Sequence, residues 1–259
     1  MRTKDLIAKR LRREKALQRK NRNQQESKRV PTSEVRELEY TIPSGFPEDV
    51  QAEAQRLPIA SIPTQELLRR RDMRDVLTFT IDPDEAKDFD DALSFQILDT
   101  GNYQIGIHIA DVTQYVHEQT ALDEEAYRRG TSIYLVDKVI PMLPERLSNE
   151  LCSLRPNEDK LCMSVILEMD NEAKVIRHKI CRTIICSDYR LTYRQAQDIL
   201  EKKTCDAISG NELKVSQAIR QLSQLAQILR TNRFRHGAIN FEAPEVHFRL
   251  NEQGEPVEI

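Results

Sequence analysis

Tryptophan is absent from the 259 residues, and aromatic side chains make up only 5% of them, so any core must be built from Ile, Leu and Val. None of the seven glycines falls in a glycine-rich phosphate loop, which excludes the nucleotide-binding motifs that depend on one. Cysteine is scarce. Cys152, Cys162, Cys181, Cys186 and Cys205 are odd in number and show no CxxC spacing, which argues against a disulfide framework or a zinc cradle. They read as small buried hydrophobes in a reducing compartment. No stretch approaches the roughly 18 apolar residues of a membrane helix. The charged N-terminus carries no apolar signal segment. A cytoplasmic location and no membrane partner are expected.

What is present is charge, at 31% of residues, and it is unevenly spread. Residues 1–30 hold twelve Lys or Arg against Asp5, Glu14 and Glu26, a local balance of +9, so the other 229 residues carry −12 within an overall −3. A basic arm on an acidic body fits a polyanionic partner, and it equally fits a solvated charged tail.

Residues 1–38 are expected to form this basic arm, partly helical or disordered. Residues 39–74, with Pro43, Pro47, Pro58 and Pro63, form a lead-in. Short helices are predicted at 47–56, with Pro47 at its start, and at 64–71, capped by Thr64. From Asp75 the pattern becomes β-branched, with strands at Val76–Ile81, Ala92–Leu98 and Tyr103–Ala110, the last two joined by an Asp99–Asn102 turn. A helix follows at Leu122–Arg129, a short strand at Ser132–Val136 and a short helix at Pro144–Leu151. Leu161–Met169 and Lys174–Cys186 read as a long hairpin. Helices are predicted at Thr192–Lys203 and Asn211–Phe234. The second carries Leu213, Val215, Ile219, Leu222, Leu225 and Leu229 at helical spacing. Strands at 238–250 and 256–259 close the chain. The class is α+β, with a mixed, largely antiparallel sheet and packed helices.

Between the first two strands lies Asp82-Pro83-Asp84-Glu85-Ala86-Lys87-Asp88-Phe89-Asp90-Asp91, six acids against one lysine. Each like charge makes the next carboxylate harder to ionise, and a divalent cation converts that repulsion into coordination. A calcium-hand loop fails on position, because Ala86 or Ala92 falls where position 5 needs an oxygen ligand. A haloacid-dehalogenase-like phosphatase shares the opening Asp-x-Asp, but Ala86 replaces its Thr and no βαβ pattern follows. A two-metal phosphodiester centre fits best, since holding two Mg²⁺ about 4 Å apart takes several carboxylates. In an extended segment Asp88 and Asp90 share one face and Asp91 the other, so a bend is required to gather them. A merely acidic surface loop is the alternative.

The stretch Thr80–Ala92 resembles the signature of the ribonuclease II / ribonuclease R family of 3′→5′ exoribonucleases. Further motifs follow in order: Ile107–Val112, Arg129–Leu135, Ile140–Pro144, Leu147–Leu154 and Arg190–Tyr193. The likeness runs from about residue 40 to the end and is similar to the bacterial ribonuclease R branch. It implies an RNB-type catalytic domain over 75–259 that hydrolyses single-stranded RNA processively from its 3′ end to nucleoside 5′-monophosphates, with Mg²⁺, as two ions, and no organic cofactor. Asp82, Asp88 and Asp91 would be metal ligands, and Asp90 the carboxylate most critical to cleavage. Tyr134 would pack near the 3′-terminal nucleotide, and Tyr193 would line the RNA channel, although either could be ordinary packing. His108, inside an apolar strand, reads as a satisfied core histidine.

The family's catalytic domain continues past a segment like Phe241–Pro244 into helices bearing a further glutamate and arginine, and it is flanked by cold-shock and S1 domains. The chain is therefore expected to be incomplete at its C-terminus. A catalytically weak or inactive RNA- and metal-binding fragment is kept beside the exoribonuclease.

Overall fold

The computed structural model describes residues 45–58, 62–135, 138–201, 212–240, 249–251 and 256–258. The chain divides into two units. The larger spans 46–133 and 141–244, and the smaller includes 134–140 and the C-terminal residues from Glu245. The basic arm, Cys205, Val136 and most of the expected last strands lie outside the described residues.

Alternating residues along the chain build the seven-stranded sheet of the larger unit. Its strands are β1 (Arg71–Asp72), β2 (Thr78–Asp82), β3 (Asp91–Ile97), β4 (Tyr103–Ala110), β7 (Asp159–Met169), β8 (Val175–Cys186) and β9 (Tyr189–Thr192). They lie in the order β1-β8-β7-β4-β3-β2-β9. The β3–β4 and β7–β8 hairpins are antiparallel, whereas β1–β8 and β2–β9 pair in parallel at the two edges. The β7–β8 turn is local chemistry: Asp170 Oδ1 accepts from the amides of Glu172 and Lys174, each at 2.9 Å.

The two faces of the sheet carry separate cores. Phe79, Phe95, Ile105 and Leu191 pack under α4 (Tyr193–Leu200) and α5 (Glu212–Arg235), against Ile199, Val215, Ile219 and Leu225. Ala92, Ala110, Cys162, Ile166 and Ile185 point the other way. They meet Val50 of α1 (Glu48–Arg56), Leu122 of α3 (Ala121–Arg129) and Leu147 of a π-helical turn over Arg146–Leu151. Full burial of one such large side chain stabilises the fold by about 1.5–3 kcal/mol. Two short ribbons complete the strands: β5 (Ile133–Tyr134) pairs with β6 (Val139–Ile140), and β10 (Arg249–Leu250) pairs antiparallel with β11 (Pro256–Glu258).

Several expectations need correction. Thr64 does not cap α2 (Thr64–Arg69); Pro63 takes the cap position, and Thr64 is already helical. The first long strand starts at Thr78, because the Val76 amide turns back to the Met73 carbonyl at 3.1 Å. The helix expected over 192–203 is described as Tyr193–Leu200, with Thr192 as its cap. There the Thr192 hydroxyl accepts from the Gln195 amide at 3.1 Å, while Gln195 Oε1 accepts from the Thr192 amide at 2.8 Å. Residues 238–240 are not strand. Leu213 is 87% exposed, because it lies about 200° around the helix from buried Val215. The sheet pairs β2 with β3 antiparallel, unlike the parallel βαβ layout that a haloacid-dehalogenase-like phosphatase requires.

Candidate active site

Asp82 ends β2 and Asp91 begins β3, so the acidic loop leaves and re-enters the sheet between neighbouring antiparallel strands. The loop is held by its backbone. The Ala86 amide donates to the Pro83 carbonyl at 3.2 Å, forming a turn. From β9, Arg190 Nη2 donates to the carbonyls of Pro83 at 2.6 Å and Asp84 at 2.9 Å. From the opposite side, buried Ser153 donates to the Lys87 carbonyl at 2.8 Å and accepts from the Phe89 amide at 3.0 Å. The Leu154 amide takes the Phe89 carbonyl at 2.8 Å, and the Ala110 amide takes the Asp90 carbonyl at 2.9 Å. Phe89 is buried and anchors the loop in the core. With these carbonyls occupied, the loop keeps its bend without using its carboxylates.

The bracing residues come from motifs whose role spacing alone does not reveal. Ser153 and Leu154 follow the π-helical turn, whose Glu150 carbonyl accepts from Lys160 Nζ at 2.5 Å. This explains part of the Leu147–Leu154 motif. Arg190 stands opposite Thr80 in the parallel β2–β9 register, and Thr192 stands opposite Asp82.

The four candidate aspartates share one electrostatic field. Asp82 is buried, and its Oδ2 has no hydrogen-bond partner. Desolvation raises its pKa, and Asp91 and Asp88 raise it further, against an opposing pull from Thr80 and Arg190. Neither Thr80 Oγ1 nor Asp82 Oδ2 meets hydrogen-bond geometry, so the offset from Thr80 is weak. Asp90 is raised first by desolvation and then by Asp88, Asp91 and Asp82. Its side chain is exposed, so water screens part of that repulsion.

Four carboxylates in mutual repulsion, one of them with a buried oxygen (Asp82 Oδ2) that lacks a hydrogen-bond partner, fit a divalent cation such as Mg²⁺. Among the described residues, however, no three His, Cys, Asp or Glu side chains converge into a group that could hold a metal ion. The carboxylates share a field without meeting at a point.

Tyr193 is the first residue of α4, immediately after Thr192, and its side chain is 62% exposed. Tyr134, in the smaller unit, lies on the β5–β6 ribbon and is 69% exposed. His108 is the expected core histidine. It is fully buried, with Nδ1 2.7 Å from Ser164 Oγ and Nε2 2.9 Å from Ser94 Oγ. Cys152 and Cys162 are buried and free, and burial pushes both thiols up to about 12, leaving them protonated and inert.

Fold and loop together define a carboxylate-rich, hard-donor centre at the end of a mixed, mostly antiparallel sheet. The chain belongs to the RNB domain family, which matches residues 70–259. It is 42% identical over 218 residues to Ribonuclease R 1 of Lactococcus lactis, covering 84% of this chain and 26% of that protein. It is 45% identical over 219 residues to Ribonuclease R of Thermotoga maritima, covering 84% of this chain and 30% of that protein. The structure of Mycoplasma genitalium RNase R in complex with ribose-methylated single-stranded RNA superimposes with a TM-score of 0.78 at 29% identity. That match covers 85% of this chain and 34% of the Mycoplasma chain. The chain thus spans about a third or less of the relatives it matches.

Proposed function

We propose that this protein is a Mg²⁺-dependent 3′→5′ exoribonuclease that hydrolyses single-stranded RNA processively to nucleoside 5′-monophosphates. The observation that supports this reading is the braced acidic loop, four aspartates in one field, in a chain of the RNB domain family. Asp82, Asp88 and Asp91 would hold the metal, as two ions, and Asp90 would be the carboxylate on which cleavage most depends. When bound, Mg²⁺ supplies Lewis-acid polarisation of the phosphodiester and neutralises its charge. Asp90 would accept a hydrogen bond from the attacking water and so orient it. Tyr193, exposed at the start of α4, would offer a stacking surface along the RNA channel, and Tyr134, exposed on the smaller unit, would offer one to the 3′-terminal nucleotide. Each assignment rests on its own unit and on the family resemblance. Stacking of this kind is indifferent to sequence, as a general RNA-degrading enzyme requires. The same reading assigns 75–259 to the catalytic domain, 39–74 to its lead-in, and the basic residues of 1–38 to phosphate contacts. It places the protein in the cytoplasm.

A second reading, RNA and metal binding without turnover, is supported by the chain spanning only about a third or less of the relatives it matches. Asp90→Asn, assayed with end-labelled poly(A) in Mg²⁺, separates the two. The enzyme reading expects the wild type to shorten the RNA and the variant to bind it without shortening it. Binding without shortening by the wild type itself would favour the second.

A further inference from the structure

Arg190 sits where the acidic loop is least supported by its own strand. The β2–β3 ladder is recorded at Thr78↔Ser94 and Phe79↔Leu93, short of the loop. The retaining strand on the outer side of β2 is β9. From there Arg190 reaches across with one nitrogen, Nη2, bonded to two successive carbonyls, Pro83 and Asp84. Its guanidinium carbon lies 5.5 Å from the centroid of the Phe89 ring, the loop's own anchor in the core. One side chain therefore touches both ends of the bend that separates Asp82 from Asp88. Its charge acts on Asp82 as well, where among the described residues it is the cation set against Asp91 and Asp88.

We propose that Arg190 is a positioning residue for the acidic loop, clamping the Pro83–Asp84 entrance so that the aspartates on either side of it are presented to one bound cation pair. The role rests on the metal-centre reading above. It needs the guanidinium over the Phe89 ring as well as a charged donor. A lysine keeps the charge and could donate to the carbonyls, but its ammonium has no planar face to set over the Phe89 ring. The clamp also accounts for an arginine on an edge strand spending Nη2 on loop carbonyls although its charge acts on the Asp82 carboxylate. A salt bridge to that carboxylate would compete with the cation for the ligand.

The test uses the whole 259-residue chain and its Arg190→Gln and Arg190→Lys variants. Gly106→Ala, a change in the middle of the sheet, serves as a control for general destabilisation. Hydrogen exchange of the Ala86 and Phe89 amides is measured without metal, and Mn²⁺ binding is followed by electron paramagnetic resonance. For Arg190→Gln, exchange at both amides should speed up about tenfold and Mn²⁺ half-saturation should rise about tenfold, the scale of a lost charge-assisted contact. Arg190→Lys should recover less than half of either effect, and Gly106→Ala should reproduce neither.

Unchanged exchange in Arg190→Gln would overturn the clamp. Faster exchange with unchanged Mn²⁺ affinity would overturn its role toward the cation, and full rescue by lysine would reduce that role to charge alone. If the wild type bound no Mn²⁺, the metal-centre reading would fail and the positioning role with it, while the exchange data would still show whether Arg190 holds the loop.

Discussion

Gly106 lies beneath the imidazole of His108, two residues along the same strand, so closely that a methyl group there would collide with Nε2 and with the Ser94 hydroxyl. The glycine is the space in which the buried histidine lies. Gly106→Ala should therefore destabilise the protein by about 1–3 kcal/mol, the usual cost of overpacking a core. Urea unfolding at neutral pH measures it. A loss below about 0.5 kcal/mol, the scale of an inconsequential surface change, would mean that the ring is free to move aside.

His108 also makes stability depend on pH. Burial drives its pKa down from 6.5 to about 4, so the folded protein holds it neutral while the unfolded chain takes up a proton near 6.5. Its contribution is complete above pH 6.5 and is lost as pH falls toward 4. The full loss is about 3 kcal/mol by linkage. Unfolding free energies of the wild type and His108→Gln at pH 7 and pH 4.5 should show a flatter dependence in the variant, whatever its absolute stability. Parallel dependences would place the titration elsewhere.

The acidic loop stores repulsion that the fold tolerates. Asp90→Asn removes one of four interacting carboxylates, so in EDTA it should raise stability by about 0.5–1 kcal/mol while lowering hydrolysis at least about a hundredfold. Thermal melting with and without Mg²⁺ checks the first part: the ion should stabilise the wild type more than the variant. A variant that melts lower in EDTA would contradict the repulsion described for Asp90.

Arg70 is a buried charge away from the loop. Its side chain is fully buried, donating to Asp111 Oδ2 at 2.7 Å, Gln114 Oε1 at 3.0 Å, Glu66 Oε2 at 3.1 Å and the Cys162 carbonyl at 3.3 Å. Desolvation pushes Asp111 up, but Thr113 and Arg70 outweigh it and hold its carboxyl below the ordinary value. Arg70→Met takes the near cation from buried Asp111, leaving it Thr113 Oγ1 at 2.6 Å and the more distant Arg182 Nε at 3.8 Å, and should cost about 3 kcal/mol. Adding Asp111→Leu should recover part of that loss in denaturant titrations. No recovery would show that the arginine matters through its other partners.

The elements legible in the sequence were those whose signal is local. The Tyr103–Ala110 strand, the Asp99–Asn102 turn and the β7–β8 hairpin are carried by alternation and turn residues. The four aspartates were legible as a motif for the same reason. What holds them was not. Ser153, Leu154 and Arg190 act through loop carbonyls, which leave no period and no residue preference at the loop itself. Strand β9 is four residues long and pairs in parallel with a distant segment, so neither a hairpin turn nor a long alternation announces it. Leu213 shows the opposite failure, an apolar residue on a helix whose buried side faces away from it.

The parallel pairing of β2 with β9 has a consequence for the order in which this protein is made. Arg190 follows Pro83 by 107 residues, and Ser153 follows Lys87 by 66. A chain growing from its N-terminus therefore exposes the acidic turn long before it has produced the residues that fix its shape. During synthesis that turn must remain a loose polyanion, and it becomes a defined centre only after the rest of the sheet has been laid down.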